Sequence, residues 1–374
     1  MAAVCRPVTT GGHAAEKTAK PSCRLSSLGQ SFRHQGFIMR HLLWVGALVV
    51  LVGAAGTEVF GQTTKKAQKP TTAPATTRAS PTPAKGVASK DAAEPEAKYK
   101  KATPAEAAKA MVEARAEAVE VAKTLGIKFK EIETDHYLVF TDWDPREYEF
   151  IKTNVEAAYA AVTRQFDIPV KENVYLGKLS CFMFSTHESF AAFANKVDRD
   201  PSSADAAGYY SYKYTGKRSI RGYMVMSKLD ERYTLGNVNT AKRMWGYVLT
   251  HELTHSFVQR YISDRDMPSW LNEGIAEVVA SSCFPRDVKA DARKMALQEK
   301  SFSALFKDDA GNQKAEMYPV MRTLVETLIL KDRKAFLHFF DDIKKGATTA
   351  ESLQTNYKWT FDDLEKYWRR YVGQ

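Results

Sequence analysis

The stretch VLTHELTHSFVQR, Val248 to Arg260, sets two histidines, a glutamate and two threonines among apolar residues. A buried polar group with no partner costs on the order of a few kcal/mol, so these side chains either face solvent or bind something. His251 and His255 are four positions apart, which on a helix puts them on one side, one turn from each other. Two imidazoles at that spacing can reach one metal ion about 2.0–2.1 Å from each nitrogen. Glu252 follows the first histidine and falls beside such an ion rather than on it, where a carboxylate can polarise a bound water.

A second segment, MPSWLNEGIAEVV from Met267 to Val279, bears on the choice. The chain leaves the first helix, crosses a polar turn at residues 263–266 and starts another helix around Pro268, with Glu273 facing back. Zinc in hydrolases is often held by two histidines and one glutamate, with a fourth position left for water. His251, His255 and Glu273 supply that set. Glu277, one turn further on, can accept from a ligating imidazole and fix its tautomer. An ordinary amphipathic helix with exposed glutamates would not enclose Glu273 among Trp270, Leu271, Ile275 and Ala276.

The pattern His-Glu-x-x-His is the zincin signature. At these residues the chain resembles the gluzincins, the zinc peptidases that include thermolysin and the alanyl aminopeptidases. HELTH matches their active-site helix, and WLNEGIAE matches their glutamate helix. The resemblance implies His251, His255 and Glu273 as zinc ligands, Glu252 as general base and Glu277 as the acid supporting a ligand histidine. It implies hydrolysis of peptide bonds by a zinc-activated water, with peptides or proteins as substrates. The two motifs cover only about 30 residues. Outside them, from about His136 to the C-terminus, the layout is similar to small bacterial peptidase-MA-like domains, with a sheet ahead of the metal helix. One departure matters. Glu273 follows His255 by 18 positions, one fewer than aminopeptidases usually have, and no Gly-Ala-Met-Glu-Asn-like segment lies upstream to grip a free amino terminus. An aminopeptidase is disfavoured.

Acyl transfer also needs a donor for the developing oxyanion. Tyrosine or histidine serves in related enzymes, and Tyr318 opens a helix after the metal segment, the right order for that role. A half-buried core tyrosine would read the same, and His338 and Tyr223 compete. The strand from Ile220 to Ser227 is expected at the cleft edge, where an extended peptide could pair with it.

These residues need a frame. PAEAAKAMVEARAEAVEVAKTLG predicts a helix from Pro104 that stops at Gly126. HYLVFTD predicts a strand, and PREYEFIKTNVEAAYAAVTRQF a helix opened by Pro145. KLSCFMFS predicts another strand, HESFAAFANKV another helix, and residues 208–228 a hairpin turning at 215–217. From Asp332 the chain is helical and closes the cleft, with Trp359, Trp368 and Tyr371 as core. The fold class is α+β and zincin-like, a mixed sheet preceding an active-site helix with a helical C-terminal subdomain. The domain spans residues 104–374, in an α/β part at 104–235 and a metal-site and helical part at 236–374.

Of 374 residues, 44% are hydrophobic and 11% aromatic, too many for a disordered chain. The net charge of +10 lies wholly in the first 103 residues, which hold 15 Lys/Arg against five Asp/Glu. The remainder is neutral and has no basic stripe to track phosphates, so nucleic-acid binding is excluded. A 14-residue uncharged run from Leu42 to Ala55 after a basic start fits a secretory signal within residues 1–61, with Met39 a candidate start. Membrane association follows only if that segment stays uncleaved, and the location is otherwise secreted or cell-envelope. Residues 62–103 are rich in Thr, Ala, Pro and Lys and form a disordered linker. Cys181 and Cys283 either pair or sit as plain core. The cofactor is Zn2+ and the function an exported zinc metalloendopeptidase-like hydrolase. The rival is an inactive zincin-fold envelope binding module, against which the presence of Glu252 speaks. Oligomeric state is not legible.

Overall fold

A computed structural model of the chain describes residues 99–215, 219–229, 237–306 and 315–374. The expected leader and most of the expected linker lie outside them. Tyr99, still inside that linker, is already buried, and its hydroxyl donates to the Glu172 carboxylate.

Helix α1, Pro104–Leu125, begins on a Thr103–Glu106 capping box and stops at Gly126, whose φ of 69° is the left-handed conformation a residue without Cβ adopts freely. Strand β1, Lys130–Glu133, pairs antiparallel with β2, Tyr137–Thr141. The sequence did not announce β1. Only Ile132 of its four residues is buried, so no alternation shows, and pairing with β2 makes it a strand. Pro145 opens a short 3-10 turn, Pro145–Glu147, before α2, Tyr148–Gln165. Strand β3, Leu179–Phe184, is buried at all six positions. Helix α3, His187–Phe193, is shorter than its apolar run suggested, because the chain widens into a π turn over Ala194–Asp198.

Strands β4, Gly208–Thr215, and β5, Ser219–Ser227, form the expected hairpin; residues 216–218 of its turn lie outside the described set. The sheet runs β1-β2-β3-β5-β4, with β2, β3 and β5 parallel and both outer strands antiparallel to their neighbours. This overturns one expectation. The Ile220–Ser227 strand is interior, held by β3 on one side and β4 on the other, and cannot accept a peptide at its edge. The outer strand on that side is β4.

Side chains alternate across the sheet. Leu138, Phe140, Phe182, Phe184, Tyr223 and Val225 point to one face, where Ala114 and Ala118 of α1 and Phe190 and Phe193 of α3 cover them. Tyr137, Val139, Cys181, Met183, Met224 and Tyr210 point to the other, into the larger core. A sheet covered on both sides explains why LSCFMF reads as one apolar run.

The larger core is completed by α4, Val238–Arg260, capped by Asn237, and by α5, Ser269–Cys283. Then follow α6, Lys289–Gln298, α7, Tyr318–Lys331, α8, Arg333–Lys345, α9, Thr349–Tyr357, and α10, Phe361–Val372. Helix α4 packs on β4, β5, α2 and α5, and α7 packs on α5. Beyond Asp332, α8 packs on α7, α9 on α8, and α10 on α6 and α7; Phe340 and Asp341 of α8 also meet Tyr261 at the end of α4. Trp359 and Trp368 are core; Tyr371 is half-buried against it. The arrangement is mixed α+β and compatible with a zincin-like fold. Cys181 is buried in the core and Cys283 exposed at the end of α5, both free thiols, so the pairing alternative does not hold. Among the described residues, no helix is long and apolar enough to cross a membrane.

Candidate metal centre

From Thr250 to Gln259 the polar residues of α4 are all buried, so the solvated-face alternative fails. Partners explain part of that burial. Thr250 donates to the Gly246 carbonyl at 2.8 Å, Thr254 to that of Thr250 at 2.7 Å, and Ser256 to that of Leu253 at 2.7 Å. These hydroxyls turn back onto their own helix, which satisfies them without leaving the core. The histidines and the glutamate do something different.

His251 and His255 sit one turn apart with ring centroids 4.8 Å from each other. Helix α5 brings Glu273 across to both, its Oε2 lying 3.2 Å from His251 Nε2 and 3.6 Å from His255 Nε2. One ligand atom from each of the three falls within 4.8 Å of the others, and all three residues are buried. Two imidazoles and a carboxylate converging at that separation fit a zinc ion in chemistry and in number.

Helix α5 approaches α7 closely at Gly274, beside Glu273. A Cβ there would stand 2.5 Å from both the Met321 carbonyl oxygen and Val325 Cγ2. Glycine at that point lets the glutamate helix lie tight against α7. The glycine stands in WLNEGIAE in plain view, but nothing in the sequence says which helix it faces.

Glu252 is fully buried. Its Oε2 accepts from the Tyr210 backbone N–H of β4 at 3.0 Å, while Oε1 has no hydrogen-bond partner among the described residues. Burial pushes its carboxyl up to about 7, against the pull of His251 and His255. A group that titrates there can both take and return a proton near neutral pH. The Tyr210 amide is a contact that sequence reasoning missed and could not find, since a backbone N–H carries no residue signature.

Glu277 places Oε1 3.1 Å from His251 Nδ1 and takes the Tyr247 hydroxyl on Oε2 at 2.5 Å. Burial alone would raise its carboxyl; His251 and Tyr247 outweigh that and hold it below the usual range. His251 is shifted the other way. Burial lowers its affinity for a proton, but Glu273 and Glu277 raise it well above the ordinary histidine value.

Of the three oxyanion-donor candidates, the structure brings one to the cluster. Tyr318 is buried at the start of α7, its ring centroid 6.0 Å from that of His251. Burial, then Glu273, Glu252 and Glu277, push its hydroxyl well above the phenol range, so it stays an O–H donor. Tyr223 lies on the opposite face of the sheet and donates to Asp198. His338 is exposed on α8.

Residues 227–374 match the peptidase MA superfamily. The match opens on the last residue of β5 and takes in α4 through α10, and with them every residue just described except Asp198, Tyr210 and Tyr223. It supports a gluzincin-like metallopeptidase, a protease-type hydrolase of a superfamily that is typically zinc-dependent. The peptidase MA segment stops short of the sheet's first four strands. No curated protein matches the chain.

Proposed function

We propose that this chain is an exported zinc metallopeptidase that cleaves internal peptide bonds, with His251, His255 and Glu273 holding the metal and Glu252 acting as general base. The observation that carries this is the convergence of the three ligand atoms within 4.8 Å, with a buried Glu252 carboxyl beside them. A zinc ion held by His251, His255 and Glu273 would polarise the scissile carbonyl and lower the pKa of a water toward about 7. Glu252 Oε1 accepts the proton of that water and returns it to the leaving amine, while the Tyr210 amide keeps Oε2 fixed. Tyr318 donates its O–H to the oxyanion. An extended peptide lies along β4, the outer strand next to α4. Export is supported by the Leu42–Ala55 run.

Metal analysis of the purified chain, joined to an activity screen on unfolded protein, tests the reading. About one zinc per chain is expected. His255→Ala should lose most of it, while Glu252→Gln should retain it and lose several orders of magnitude of hydrolysis. Full zinc in the His255 variant removes the ligand assignment, and an unchanged rate in the Glu252 variant removes the base. A wild-type chain that holds zinc yet cleaves nothing turns the reading to a binding module.

A further inference from the structure

Tyr247 stands four residues before His251 on α4, one turn away on the side that faces α5. It is 4% exposed. Its hydroxyl donates to Glu277 Oε2 at 2.5 Å and lies 3.5 Å from Ser281 Oγ. The other carboxylate oxygen, Oε1, is the one 3.1 Å from His251 Nδ1. Glu277 is therefore held at both ends, by a phenol on one oxygen and an imidazole on the other. Outside Tyr247 comes Arg286, exposed, its guanidinium carbon 5.9 Å from the centroid of the tyrosine ring.

We propose that Tyr247 is a positioning residue of the metal centre, which fixes the rotation of the Glu277 carboxylate and through it the tautomer and ring orientation of His251. The proposal rests on the metal-site reading above and extends it one residue outward. A glutamate side chain has three torsions, the last of them broad, so a carboxylate held only by an imidazole can swing about its end. A donor on the far oxygen removes that freedom. With Oε1 kept against Nδ1, the imidazole carries its hydrogen there and offers the Nε2 lone pair toward Glu273 and His255.

A buried core tyrosine that merely satisfies its hydroxyl would present the same contact, so the test must separate the two roles. The experiment is a double-mutant cycle on zinc affinity, read by competition with a chromophoric chelator at fixed pH, using the full chain with Tyr247→Phe, Glu277→Ala and both together. Tyr247→Phe keeps the ring and removes only the donor. It should weaken zinc binding about 10-fold in the otherwise native chain, the lower end of what a lost outer partner of a metal ligand costs. In the Glu277→Ala background it should cost nothing further, because the group it acts through is gone. Wild-type affinity in Tyr247→Phe overturns the proposal, and so does an equal loss in both backgrounds. If Glu277→Ala does not fold, the single Tyr247→Phe titration still decides. A wild-type chain that binds no zinc removes the metal-site reading and this inference together; zinc-competent wild type with an indifferent Tyr247→Phe removes the inference alone.

Discussion

Glu273 and Glu277 sit one turn apart on α5 and both approach His251, so each is a candidate ligand by sequence. Geometry gives them different work. Glu273 Oε2 faces the Nε2 atoms of both histidines, whereas Glu277 Oε1 faces the back of one ring at Nδ1. Glu277 Oε1 would have to leave Nδ1 to reach the side of the ring that Glu273 faces. Loss of a ligand carboxylate should therefore be far worse for zinc than loss of its neighbour, which typically costs about 10–100-fold in affinity. Glu273→Ala is expected to be nearly metal-free under dilute chelator, and Glu277→Ala to bind zinc weakly but measurably. The reverse order in a chelator titration would exchange the two roles.

At the scale of elements, the site depends on how α5 lies against α4 and α7. At Gly274 the helix α5 lies close against α7, and Gly274→Ala tests that packing. In an isolated helix the change would favour folding by about 1 kcal/mol, since glycine is the poorer helix former. Here the new methyl would meet a carbonyl oxygen and a methyl group at 2.5 Å, and the carbonyl belongs to helix backbone that cannot step aside. Overpacking of that kind typically costs about 1–3 kcal/mol and forces a backbone shift. The clash wins. A lower melting temperature is expected, together with weaker zinc binding as Glu273 moves with its helix. A variant as stable as the parent would show that α5 and α7 can separate freely.

Over the whole molecule, the loop from α4 to α5 is tied to the C-terminal helices. Lys344, buried in α8, donates through Nζ to the Arg265 carbonyl at 2.5 Å. The Ser263 hydroxyl donates to the Lys344 carbonyl at 2.5 Å, and Arg265 Nη1 to that of Gly346 at 3.0 Å. Burial lowers the Lys344 ammonium to about 7, opposed by Asp266 and Asp264. An unfolded lysine titrates near 10.4, so between about pH 7 and 10 the unfolded chain binds more protons at this site and stability rises with pH. Below about 7 both states are protonated and the slope vanishes. Lys344→Met removes the titration. Its stability relative to wild type should be more favourable at pH 7 than at pH 9 by about 2 kcal/mol, read from urea unfolding of both chains at each pH. The same difference at both values would place the Lys344 titration outside that window.

HELTH and WLNEGIAE named the metal-binding candidates because ligand spacing on a helix is local: four residues make one turn whatever surrounds them. Apolar runs and caps likewise marked α1, α2, β2, β3 and the β4–β5 hairpin, since periodicity and stop residues act within a few positions. Long-range decisions were not legible. Strand order put β4 rather than β5 at the edge, and that depends on which strands pair. Lys130–Glu133 became a strand only through its partner, and Tyr318 rather than Tyr223 or His338 lies beside the cluster because of the face on which each packs. The Tyr247–Glu277–His251 chain had a local half, the four-residue spacing on α4, and a half that only the docking of α5 could supply. Residue type and short spacing fix which chemistry is available, while burial and the approach of distant segments decide which groups meet.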